Sequence, residues 1–276
     1  MIAVDLDGTL LDLRGQPHER DVRALKAARA AGVHVTIVTG RLYSGTRAAA
    51  TALGIGGAVG CADGSHIVRT SDHATLLHRG LSAPGARIIR DALARNGPAA
   101  FVFAQDAIVH DARGEAYLQY VRTWSQDIRP TESVETHEFW SSGEGITAVV
   151  AVGTAEQIFG TSEDIERSLG VGAQIAKFPV KRLEDRWGLV ARAAGGTKGS
   201  ALAFVAEHHG CTLEESVCVG DWLNDVSMFA VAGRSYSMGQ APDEVKKAAT
   251  VVLEETSERG GGIARAVEEA FQIRVD

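Results

Sequence analysis

Ile2-Ala3-Val4-Asp5-Leu6-Asp7-Gly8-Thr9-Leu10 opens the chain with three apolar residues that give way at once to acid, acid, glycine and hydroxyl. An apolar run this short predicts a short strand, and Gly8 permits the turn out of the sheet. Polar chemistry therefore begins where the strand ends. Asp5 and Asp7 are two positions apart in extended chain, so they can face the same side, a spacing suited to a paired nucleophile and proton donor.

Outward from this stretch, Val22, Leu25, Ala28 and Ala31 follow helical spacing over Glu19 to Ala31, with Gly32 as a stop. Val33 to Val38 reads as a second buried strand, ending in Thr39-Gly40-Arg41. Strand, helix, strand in this order predicts a right-handed parallel crossover. The pattern returns near the C-terminus. A helix at Lys198 to His209 leads to a strand at Val217 to Val219 that ends in Gly220-Asp221. Met228 to Val231 belongs to a further helix, Ser235 to Met238 and Thr250 to Leu253 to short strands, and Gly262 to Phe271 to a closing helix.

The middle of the chain is spelled differently. A helix over Ala83 to Arg95 precedes two apolar runs, Ala100 to Phe103 and Ile108 to His110, spaced as a hairpin. A strand at Ile146 to Val152, a helix at Ala155 to Leu169 and strands near Gln174 to Phe178 and Leu189 to Ala193 follow. Ser125 to Gly145 has little periodicity and reads as loop with a short edge element. The expected fold is α/β, with a Rossmann-like parallel-sheet core over 1–80 and 188–276 and an inserted α+β domain over 81–187.

At 276 residues and 45% hydrophobic content the chain has material for two modest domains. A net charge of −7 provides no broad basic surface, which argues against nucleic acid or an anionic membrane as partner and requires any phosphate site to be locally cationic. No secretory pattern follows Met1 and no apolar run approaches membrane-spanning length, so a soluble, cytoplasmic protein is expected, monomeric or a small homo-oligomer. Cys61, Cys211 and Cys218 form no C-x-x-C pair and read as small core residues.

Ligands bind outside the carboxyl ends of the strands in open parallel sheets, so Asp5 with Asp7, Thr39 and Asp221 are expected to converge on one crevice. Clustered carboxylates repel unless a cation sits among them, and a hard oxygen set without His or Cys suits Mg²⁺. Phosphoryl oxygens need positive charge and donors, which Lys198, the Thr39 hydroxyl and the Gly40 amide region can supply. Lys198 stands in Gly195-Gly196-Thr197-Lys198-Gly199, before a helix whose N-terminus is itself partly positive.

Asp5-Leu6-Asp7-Gly8-Thr9-Leu10, Thr39-Gly40-Arg41, Thr197-Lys198-Gly199 and Gly220-Asp221-Trp222-Leu223-Asn224-Asp225 resemble, in order, the four motifs of the haloacid dehalogenase (HAD) superfamily. The insertion is similar to that superfamily's class II cap, and Ser237-Met238-Gly239-Gln240-Ala241 through Gly261-Gly262-Ile263 to its Cof-like sugar-phosphatase branch. The resemblance implies an HAD core that hydrolyses a small phosphorylated metabolite with Mg²⁺, the cap closing to exclude water. Asp5 would be the nucleophile, and Asp7 the acid and base. The metal would be held by Asp5, the Asp7 carbonyl and Asp221, with Asp225 in support. Thr39, Gly40, Arg41, Lys198 and Asn224 would contact substrate. Trp222 and Asp63-Gly64 depart from the branch, where a small or polar residue and Asn-Gly are usual. A phosphomutase is the rival enzyme reading, and a non-catalytic phosphate-binding protein the rival of another class. His208-His209 reads as a solvated helix end, and Lys177, Lys181, Arg182 and Arg186 as either a second polar-substrate contact or a solvated face.

Overall fold

The opening apolar run forms β1 (Ile2–Val4), and all of its residues are fully buried in the computed structural model, which describes residues 1–141, 145–169, 172–180, 183 and 185–274. Then come α1 (Glu19–Ala30), β2 (Val35–Ile37), α2 (Tyr43–Ala52), β3 (Ala58–Cys61), β4 (His66–Arg69) and β5 (Ala74–His78). The middle of the chain supplies α3 (Ala83–Asn96), β6 (Ala99–Ala104), β7 (Ala107–His110), α4 (Leu118–Val121), β8 (Ile128–Pro130), β9 (Ala148–Gly153), α5 (Ala155–Leu169), β10 (Ala173–Pro179) and β11 (Trp187–Ala193). The last part holds α6 (Lys198–His208), β12 (Val217–Gly220), α7 (Val226–Phe229), β13 (Arg234–Ser237), α8 (Asp243–Ala248), β14 (Val251–Val252) and α9 (Gly262–Phe271). Two compact units result: 1–41 with 46–77 and 197–276, and 42–45 with 78–196.

The first unit is built on a five-stranded parallel sheet of order β14-β13-β12-β1-β2. Val4 pairs with Val219 on one side and Ile37 on the other, so Asp5, Asp221 and Thr39 leave neighbouring strands at the same edge. Ala3 and Cys218 join a core cluster with Ala201, Leu202 and Val205 of α6, whereas Ile2 and Val4 alternate to the opposite face. α1 and α9 pack together and touch β2 and β12. Helical cover on both faces is why the central strands read as unbroken apolar runs.

Some expectations shift. The buried stripe of α1 is Asp21, Ala24, Leu25 and Ala28, not the predicted Val22, Leu25, Ala28 and Ala31. Asp21 earns burial by accepting the Gly261 and Ala264 N–H groups at 2.8 Å each, at the start of α9. β2 begins later than predicted because the Val33 N–H turns back to the Ala28 carbonyl and closes the helix end. α2 and the three-stranded β3-β4-β5 sheet carried no sequence prediction. β3 meets the parallel sheet through a bridge from Gly60 to Val38.

The second unit is a six-stranded sheet of order β10-β11-β9-β6-β7-β8, antiparallel except for the β7–β8 pair. α3 and α5 pack together over one face, where Ile89, Leu93, Val102, Val149, Ile158 and Leu189 share a core. The hairpin forms as predicted, and the edge element within 125–145 is β8. Because β11 pairs with both β9 and β10, this unit runs to Gly196, past the boundary read from the sequence at 187.

Candidate active site

Asp5 follows β1 directly and stays tied to the sheet, its N–H donating to the Val219 carbonyl at 3.0 Å. The residue is 4% exposed, and its carboxylate lies 2.7 Å from Lys198 Nζ. The same ammonium is 2.7 Å from Asp225 Oδ1. Lys198 is the first residue of α6, where side chains lean back past the helix N-terminus, and Thr197 with Ser200 closes a reciprocal capping box behind it. Burial alone would push the Lys198 pKa down, but Asp225 and Asp5 outweigh it and hold the group charged.

Asp225 is fully buried with both oxygens engaged: Oδ1 by Lys198, Oδ2 by the N–H groups of Asp221 and Trp222 at 2.9 Å each. It braces the lysine and the loop that carries Asp221. Asp221 accepts from the Thr9 hydroxyl at 3.2 Å on Oδ1 and from Gln240 Nε2 at 3.3 Å on Oδ2. Gly8, at φ +80°, leaves the space for it: a Cβ there would come within 2.4 Å of Asp221 Oδ2.

Carboxylate oxygens of Asp5, Asp221 and Asp225 lie within 4.8 Å of one another. Burial, together with Asp225 and Asp221, pushes Asp5 well above the usual carboxylate range against the pull of Lys198. Burial and then Asp225 push Asp221 up to about 6. One ammonium faces three carboxylates, and the oxygen-only donor set fits a hard divalent cation, which would relieve both shifts.

Asp7 is more exposed, and the Arg41 guanidinium grips it with two bonds, Nε to Oδ2 at 2.8 Å and Nη2 to Oδ1. The structure therefore places Arg41, read from sequence as a substrate contact, on the carboxylate of Asp7. Thr39 is buried, with its N–H on the Gly60 carbonyl and its hydroxyl oxygen accepting the Arg41 N–H at 3.2 Å. Gly40 faces Asp63, whose carboxylate oxygen would stand 3.5 Å from a Cβ at that position. Asn224 donates from Nδ2 to Asp63 Oδ1 at 2.7 Å, and its own buried Oδ1 has no hydrogen-bond partner among the described residues. Asp5, Asp7, Thr39, Gly40, Arg41, Lys198, Asp221, Asn224 and Asp225 thus all lie in the first unit.

Three neighbours carried no prediction as site residues: Thr9, Asp63 and Gln240. Asp63 repeats a signal already used, an apolar strand followed by acid and glycine. It sits in the left-handed region at φ 51°, with Ala62 beside it at φ 47°. Gln240 has no such signal. Among the other groups singled out, Lys177 is spent on Ser162 and Glu166, and Arg186 on Tyr117, whereas Lys181 and Arg182 lie outside the described residues. His209 stacks on His34 at 4.5 Å rather than pairing with His208 around a ligand. Cys61 and Cys218 are buried and Cys211 half-buried, and none is in a disulfide among the described residues.

The chain is 27% identical over 265 residues to pyridoxal phosphate phosphatase YbhA of Escherichia coli, covering 92% of each. It is 29% identical to 5-amino-6-(5-phospho-D-ribitylamino)uracil phosphatase YwtE of Bacillus subtilis, covering 94% of each. A solved haloacid dehalogenase-like hydrolase from Bacteroides thetaiotaomicron shares the fold at TM-score 0.83 and 24% identity over 98% of each chain. The HAD subclass IIB sugar phosphatase BT4131 does so at TM-score 0.76 and 19% identity, over 99% of this chain and 98% of that one. The family model for haloacid dehalogenase-like hydrolases matches residues 2–267, and this chain belongs to that family, in its Cof-like branch of phosphoric monoester hydrolases.

Proposed function

We propose that the chain hydrolyses a small, polar phosphomonoester, a sugar phosphate or a similar phosphorylated metabolite, through an aspartyl-phosphate on Asp5. The observation that carries this reading is the buried Asp5 carboxylate at the end of β1, touching Lys198 and flanked by Asp221 and Asp225. In the first step an Asp5 oxygen forms a bond to phosphorus as the ester P–O bond breaks, and Asp7 gives its proton to the leaving oxygen. In the second, Asp7 takes a proton from water, the water oxygen attacks phosphorus, and inorganic phosphate leaves with Asp5 restored.

Lys198, the Thr39 hydroxyl and the Gly40 amide neutralise and orient the phosphoryl oxygens, with Asn224 alongside. Arg41 holds Asp7 in position and stands ready to share its guanidinium with the incoming anion. Asp5, the Asp7 carbonyl and Asp221 would hold Mg²⁺, with Asp225 bracing them; its chemistry is to offset the negative charge shared by carboxylate and phosphoryl group. The second unit serves as the cap that selects substrate. Support for the substrate class comes from the relatives, two of which are named for phosphorylated metabolites, pyridoxal phosphate and 5-amino-6-(5-phospho-D-ribitylamino)uracil.

The test is release of inorganic phosphate from a panel of sugar phosphates, nucleotides and other small esters, with Mg²⁺ or chelator, by the parent and Asp5→Asn proteins. Metal-dependent release by the parent alone supports the reading. Equal release by the variant, or release unaffected by chelator, overturns it.

A further inference from the structure

We infer that Gln240 is a positioning residue: it fixes the orientation of Asp221 and of the Asp7–Gly8 turn, and thereby sets how tightly the site holds its divalent cation. The inference rests on the metal-dependent reading proposed above, and concerns a residue with no part in the chemical steps.

Gln240 lies in the loop after β13, and the two residues before it are fastened to different segments. The Met238 N–H donates to the Gly220 carbonyl at 3.0 Å and the Gly239 N–H to the Glu255 carbonyl at 2.7 Å. Its side chain joins three segments distant in sequence. Oε1 accepts the Ser257 N–H at 3.2 Å, and Nε2 donates to the Gly8 carbonyl at 2.5 Å and to Asp221 Oδ2 at 3.3 Å. This assigns the amide one way round. A flipped amide would set its oxygen against a carbonyl and a carboxylate, and its NH₂ against an N–H.

With Thr9 on Oδ1 and Gln240 on Oδ2, both Asp221 oxygens are pinned, and the carboxylate cannot turn about its own axis without losing one of them. The bond to the Gly8 carbonyl fastens that carboxylate to the turn that follows Asp7. Gln240 is exposed, so its bonds are its contribution rather than packing. Partners that orient a ligating carboxylate in this way typically change metal affinity by about 10–100-fold when removed. Exposure to competing water puts Gln240 at the lower end.

The experiment compares Mg²⁺ binding by calorimetry, together with phosphate release as a function of Mg²⁺, for the full-length parent, Gln240→Met, which keeps length but no polar atom, and Gln240→Asn, which is too short to span the three partners. The thermal midpoint of each is taken in chelator. The expected result is Mg²⁺ dissociation about tenfold weaker in both variants. Turnover at saturating Mg²⁺ should stay within about twofold, and the chelated midpoint should match that of the parent. A role confined to scaffolding would lower the chelated midpoint and leave the dissociation constant unmoved, and that result overturns the inference. So does a loss of turnover that saturating Mg²⁺ does not restore. A parent that binds no Mg²⁺ brings down the metal-dependent reading and this inference together, whereas a parent that binds while the variants match it sinks the role of Gln240 alone.

Discussion

Each unit carries a cluster of acids around one cation, and the two clusters reach opposite electrostatic states. In the second unit, Asp111 and Glu135 share Arg113, and Asp111 also accepts the N–H groups of Arg113 at 3.0 Å and Val134 at 3.3 Å. Burial pushes both carboxyls up, yet Arg113 and the neighbouring donors overcome it and hold them below the usual range. In the first unit burial wins at Asp5 and Asp221 in spite of Lys198. The difference lies in the partners. The Asp111 cluster is completed by its own chain and fastens a turn, whereas the Asp5 cluster holds more negative charge than one lysine can answer, which is the condition of a site that a cation and an anionic substrate complete together.

The largest test of this contrast is Asp5→Asn, which should lower phosphate release at least about a thousandfold while the protein stays folded, measured by turnover beside circular dichroism. Lys198→Met should cost about 3–5 kcal/mol in urea unfolding of the metal-stripped protein, because it strands Asp5 and Asp225 without their cation. Added Mg²⁺ should return part of that loss.

The pH dependence should carry opposite signs in the two clusters. Asp221 titrates at about 6 in the folded chain against 3.8 in its ordinary state, so the folded protein binds the extra proton between those values. Its stabilising effect on the metal-stripped protein is complete below about pH 4 and is lost as pH rises through 6, about 3 kcal/mol in all. Mg²⁺ affinity should weaken as pH falls through the same window, since protons compete for that carboxylate. Asp111 and Glu135, held low, contribute above their ordinary pKa and lose that contribution as pH falls through their folded values. Urea midpoints of metal-stripped protein across pH 3 to 7 would separate the two arms. The smallest effect belongs to Arg113→Met, about 1 kcal/mol, since its guanidinium is partly exposed and screened. It should flatten the acid arm and leave the pH 4–6 arm unchanged; movement of that arm would break the contrast.

Much of the core was legible because parallel strands put consecutive polar ends on one edge, so a motif at a strand terminus is also a position in the site. Asp5, Thr39 and Asp221 follow from that rule, and Lys198 from its place in the Gly-rich stretch that opens a helix. β3 to β5 were not legible, since His66, Thr70 and His73 interrupt the apolar alternation, and α2 was not, since Tyr43 to Ala52 is rich in Ala, Gly, Ser and Thr and holds no large aliphatic residue. The burial of Asp21 was hidden for a related reason: its partners are N–H groups some 240 residues away.

By itself the sequence determined the α/β order of elements, the inserted α+β segment and the residue types of the site, because strand and helix periodicity and glycine turns are local properties of the chain. Only the tertiary structure decided which of those residues touch: that Arg41 takes Asp7, that Asn224 faces Asp63, that Asp225 braces Lys198, and that Gln240 ties Asp221 to Gly8. The physical reason is that hydrogen bonding and burial are set by distances in space, and the segments that meet at this sheet edge are brought there by strand order, which no local pattern records.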